Sequence, residues 1–73
     1  MDADRFNQAC RHLRRDRIVR VRLITGQIVE GMMLRHIEAG AHDGSVELDT
    51  RRGVVSLLSS AIAEIEPIMD SEA

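Results

Sequence analysis

The sequence predicts a mainly β domain, a small and tightly curled barrel of five short antiparallel strands preceded by one helix. Three observations carry that expectation. Ile18 to Leu34 reads as two strands around a glycine turn, and two glycines, Gly26 and Gly31, lie five residues apart within that unit. Five short strands also leave two edges, which an open sheet would expose to foreign pairing and a barrel or ring would cover.

Val19, Val21 and Leu23 alternate with Arg20 and Arg22, the period-two pattern of a strand with one face in the core. Thr25-Gly26 interrupts the run at hairpin spacing, where a positive φ at glycine serves a primed turn or a glycine bulge. The return arm, Gln27 to Leu34, places Gly31 where side chains would crowd a bent strand. Ahead of this hairpin a helix is expected over about residues 4–15, capped by Asp2 or Asp4, with Phe6, Ala9, Cys10 and Leu13 in one apolar stripe. Asp16-Arg17 leaves little slack, so the helix must pack across the end or the open side of the sheet.

Downstream, Arg35 to Gly44 reads as the longest irregular stretch and Ser45 to Thr50 as a third strand, followed by a turn at Arg51-Arg52-Gly53. Val54 to Leu58, with little alternation, suits a strand covered on both faces or paired in an assembly. Ser59-Ser60 breaks the pattern, and Ala61 to Ile65 forms a fifth strand that stops at Pro67. One domain is expected over about residues 1–68, its strands spanning about 17–67, with a frayed acidic tail at about 69–73.

Composition narrows the function. The chain has 73 residues, and a single core of that size buries only about 60% of the surface its unfolded chain exposes. Cys10, alone, makes no internal disulfide and reads as a small buried apolar residue. His12, His36 and His42 match no metal-ligand spacing, so no metal or cofactor is expected and oligomerisation is the expected support. The absence of an apolar run of about 18 residues argues against a membrane segment, and the free thiol suits the cytoplasm. Neither a nucleophile with a base at a recognisable spacing nor a glycine-rich phosphate loop is present, so no enzyme is expected.

The formal charge of −2 hides a bipolar distribution. From Arg5 to Arg22 seven arginines oppose the single acid Asp16, an excess of six positive charges, whereas from Leu23 onward nine acids oppose three arginines. A basic patch can therefore exist on an acidic molecule. The bland reading of the arginines is a solvated helix face complementing the helix C-terminus.

The run LRRDRIVRVRLITGQIVEGMML, from Leu13 to Leu34, resembles the start of the Sm-like fold. Within that superfamily it is similar to the bacterial Hfq family of RNA chaperones, whose pattern is a short helix, LRRER, a strand, an N-G turn and a strand with a second glycine five residues on. Ala61 to Pro67 sits where that family has A-I-S-T-V-V-P. The resemblance implies a strongly bent five-stranded barrel in a homo-oligomeric ring, a hexamer or heptamer, the fourth strand of one copy pairing with the fifth of the next. It also implies RNA-backbone contact at the rim by Arg14, Arg15 and Arg17; Arg11, and more weakly Arg51 and Arg52 on the turn between strands three and four, would add to it. Ser59 and Ser60 stand where the family has the Y-K-H run that clamps bases at the pore, and their bland reading is a polar turn. With Phe6 the only aromatic residue, base stacking is nearly lost and little base specificity is expected.

A second resemblance, carried by Ala9-Cys10-Arg11-His12, the glycine turn and a longer second loop, is to the Rho-binding antiterminator family. It implies a monomeric Sm-like regulator that binds a protein partner, presenting Glu38, Asp43, Glu47 and Asp49 to a basic surface; an oligomeric scaffold without RNA binding is the other alternative.

Overall fold

A computed structural model describes residues 1–68, which form one helix and one five-stranded antiparallel sheet. The acidic tail expected at 69–73 lies outside the described residues. Helix α1 (Ala3–Arg11) is followed by β1 (Ile18–Leu23), β2 (Ile28–Ile37), β3 (Ser45–Thr50) and β4 (Gly53–Leu58), then a 3-10 turn (Ser59–Ala61) and β5 (Ile62–Pro67). The sheet order is β4-β3-β2-β1-β5, so β4 and β5 are its two free edges among the described residues and the expected barrel is not closed.

Alternation decides which face is buried. Val19 and Val21 on β1 point into the core with Met33 on β2, Val46 and Leu48 on β3, and Ile62 and Ile65 on β5. Phe6 and Cys10 of α1 complete it, as the helical stripe requires. Leu23 to Gln27 makes a tight turn, with Gly26 N–H on the Leu23 carbonyl at 2.8 Å, Leu23 N–H on the Gln27 carbonyl at 2.8 Å, and Gly26 at φ +93°. That is the glycine-bulge form of the expected hairpin. A Cβ at Gly31 would lie 2.8 Å from the Asp49 carbonyl oxygen, so the crowding inferred there is real.

Four elements differ from expectation. The helix ends at Arg11 rather than near residue 15, because the His12 N–H turns back onto the Ala9 carbonyl and the Leu13 N–H onto the Cys10 carbonyl; Leu13 packs on the core from outside it. Arg14 and Arg15 therefore sit in a connecting corner, not on a helix face. β2 continues to Ile37, into the stretch expected to be irregular, because Arg35, His36 and Ile37 pair with Glu47, Val46 and Ser45 past a register shift. Of the two expectations for β4, cover on both faces is not met within the chain, where Val54, Ser56 and Leu58 are exposed while Val55 and Leu57 turn inward; pairing in an assembly is a matter of contacts between copies. The fifth strand begins at Ile62, since Ser59 to Ala61 form the 3-10 turn.

The helix closes one open side of the sheet and is held at three points. Asp2 caps its first turn, its carboxylate accepting from Arg5 N–H at 2.8 Å. The Asn7 side chain donates to the Ala39 carbonyl at 2.8 Å and accepts from the Ala39 N–H at 2.7 Å. The Met1 nitrogen donates to the Ile62 carbonyl at 2.7 Å. Phe6 fills the space beneath Gly44, where a Cβ would approach Phe6 Cε2 and the Ile37 carbonyl oxygen to 2.5 Å. Gly44→Ala is therefore expected to destabilise the domain by about 1–3 kcal/mol, since the ring has nowhere to retreat. Urea unfolding measures it; Gly40→Ala, where nothing lies within 4 Å, serves as the neutral control.

Candidate nucleic-acid interface

The arginines divide into two groups. On the outward face of β1, Arg20 lies between Glu30 of β2 and Glu66 of β5, and Arg22 lies beside Glu64. Arg20 Nε donates to Glu30 Oε2 at 2.7 Å, with Glu66 Oε2 at 3.7 Å from its Nη1. Arg22 Nη2 donates to Glu64 Oε1 at 2.9 Å. The Arg20 pKa is raised, first by its hydrogen bond to Glu30 and then by the charges of Glu30 and Glu66. Arg35 pairs with Glu47 at 3.2 Å, and Arg11 approaches Glu38 at 3.9 Å. These contacts are exposed and add little to stability, but they neutralise Arg20 and Arg22, and more loosely Arg11, within the positive run from Arg5 to Arg22.

Of the other six arginines, Arg5 stands alone and exposed on α1, and the remaining five gather in two places. Arg14, Arg15 and Arg17 occupy the corner between α1 and β1, exposed, with no carboxylate within 4.0 Å among the described residues. Arg14 and Arg17 border a hollow of about 270 Å³ with Leu13, Pro67 and Ile68. The corner is fastened to β2, since Asp16 N–H donates to the Met33 carbonyl at 3.1 Å and Met33 N–H to the Arg17 carbonyl at 3.0 Å. Arg51 and Arg52 stand on the β3–β4 turn, also without a carboxylate within 4.0 Å among the described residues, although Glu30, paired with Arg20, lines the same cleft. Thr50 braces that turn, its Oγ1 accepting from Arg52 N–H at 3.1 Å and donating to the Gly53 carbonyl at 2.7 Å. Both arginines open onto a cleft of about 800 Å³ with Gln27, Val29 and Val55. This cleft had no signature in the sequence, because it forms where β2 and β3 part beyond the Met32–Asp49 pair.

Ser59 and Ser60 are used internally. Ser59, 3% exposed, accepts from Gly44 N–H at 3.1 Å and donates to Asp43 Oδ1 at 3.4 Å, and Ser60 donates to Asp43 Oδ2 at 2.8 Å. These hydroxyls brace the loop before β3 against the 3-10 turn. Among the described residues no group of three or more His, Cys, Asp or Glu is placed to hold a metal ion, and no helix is long and apolar enough to cross a membrane.

Burial, then the charge of Glu38, pushes the Cys10 thiol up from 9.0 to about 11. Its contribution to stability is full below pH 9 and is lost as pH rises toward 11, because the unfolded chain ionises first. Folded protein at pH 8 is expected to react with a thiol reagent only at the rate of unfolding, and urea midpoints should fall between pH 9 and 11; reaction as fast as with free cysteine would refute the burial. Compared with protein-family models, curated proteins and solved structures, the chain has no match.

Proposed function

We propose that this chain is an Sm-like, RNA-associated protein that grips the sugar-phosphate backbone through Arg14, Arg15 and Arg17. The observation that carries the reading is the corner itself, three exposed guanidinium groups free of carboxylates among the described residues, its backbone anchored to the buried Met33 of β2. Guanidinium forks match phosphate geometry, and a fixed corner avoids ordering cost on binding. Arg51 and Arg52 supply a second, weaker contact at their cleft, whereas Arg11 is drawn toward Glu38. Base identity is read little, since Phe6 is buried and the hydroxyls of Ser59 and Ser60 are engaged within the chain.

The Sm-like reading also supplies partners for the sheet edges. It pairs the fourth strand of one copy with the fifth of the next, and β4 and β5 are the two strands with an open side here. A ring of about six or seven copies would bend the sheets into barrels, cover Val54 and Leu58, and repeat the arginine corner around its rim. A second reading, a monomeric protein-binding regulator, is favoured by the uncharged β4 edge, which could accept a partner's strand directly.

Fluorescence anisotropy of labelled oligo-U and oligo-A over a salt series tests the proposal. The expected result is steep salt dependence with little difference between the two RNAs. Arg14→Ala/Arg15→Ala/Arg17→Ala should reduce the slope of log K against log salt by about 2 per bound copy, at about 0.7 per phosphate contact. Arg20→Ala/Arg22→Ala, which removes paired cations, should leave the slope unchanged. An unaltered slope in the triple variant refutes the RNA reading, and a monomer by light scattering without RNA affinity selects the protein-binding one.

A further inference from the structure

Asp16 stands apart in the backbone. With φ +66° it is the one non-glycine residue with positive φ among the described residues, in a left-handed conformation that disfavours most L side chains and that Asp and Asn tolerate best. The strain falls between Arg15 and Arg17. The Asp16 N–H bonds to the Met33 carbonyl at 3.1 Å, the Met33 N–H to the Arg17 carbonyl at 3.0 Å, and Met33 is 2% exposed. The left-handed step thus turns the chain from the end of α1 into β1 and seats both sides of the turn on one core residue. Its carboxylate is exposed and has no cation within 4.0 Å among the described residues. An acid in an anion-binding corner is electrostatically adverse, so its backbone conformation is the physical reason for its presence.

We infer that Asp16 is the positioning residue of the arginine corner, acting through its left-handed backbone and not through its charge. The inference rests on the RNA reading above and deepens it, for it assigns the geometry of the three guanidinium groups to one backbone turn. A residue that resists positive φ would release the Met33 bonds and let the arginines move independently, so fewer phosphates would be engaged together.

The test compares Asp16→Asn, Asp16→Gly and Asp16→Val in the full chain, using oligo-U anisotropy over salt together with amide hydrogen exchange. Asn and Gly accept positive φ and remove the negative charge, so both should bind at least as tightly as the parent with the same salt slope. Val should weaken binding roughly tenfold and lower the slope. Exchange at residue 16 and Met33 should quicken in Val alone, while Val21 and Leu48 stay protected. Unchanged slope and protection in Val would overturn the inference, as would an Asn variant that loses binding as Val does, for then the carboxylate is the working group. If the parent chain binds no oligo-U, the RNA reading fails, and exchange at residue 16 and Met33 still decides whether Asp16 fixes the corner.

Discussion

Met33 is the point through which the parts of this molecule are kept in register. Its side chain is buried, its backbone bonds on one side to the corner at Asp16 and Arg17, and it pairs with Leu48 of β3 on the other. Directly after it the β2–β3 register shifts, so the end of β2 can pair with Val46 and Ser45. A bulge at such a position bends a strand and re-aims the side chains beyond it. The arginine corner, the bend of β2 and the placement of β3 therefore depend on one ladder position. The helix then seals the core that this arrangement leaves open, with Phe6 beneath Gly44 and Asn7 on Ala39.

Electrostatics sorts residues of the same type into different roles. Arg20 and Arg22 stand in mid-sheet, where their cross-strand neighbours are Glu30, Glu64 and Glu66, and so they are neutralised locally. Arg14, Arg15 and Arg17 stand past the end of the ladder, where no described strand supplies an acid. A local excess of positive charge along a chain is therefore only a ceiling on the field it presents; pairing in three dimensions decides how much remains available to a polyanion.

Much of the fold was legible because alternation and glycine chemistry are local. The inward Val19 and Val21, the turn at Gly26, the crowding at Gly31 and the apolar helix stripe through Phe6 and Cys10 all follow from spacing. The end of α1 was harder to place, because Arg14 and Arg15 favour helix well enough and only the need to reach Met33 forces the chain out. The two readings of β4, covered on both faces or paired in an assembly, could not be separated, since an apolar run looks alike whether it is covered or stands at an edge. Of the interface, the three arginines could be named from the sequence. The loss of Arg20 and Arg22 to ion pairs could not, because it depends on register, and the left-handed turn at Asp16 was hinted at only by the tolerance of aspartate for positive φ.

The most direct test of the central claim is a two-dimensional amide NMR titration of the full chain with oligo-U at low salt. The account expects the largest shift changes at residues 14–17 and at Met33, smaller ones at Arg51 and Arg52, and almost none along the outward face of β1. Changes concentrated at Arg20, Arg22 or the β4 edge, or none at all, would contradict it.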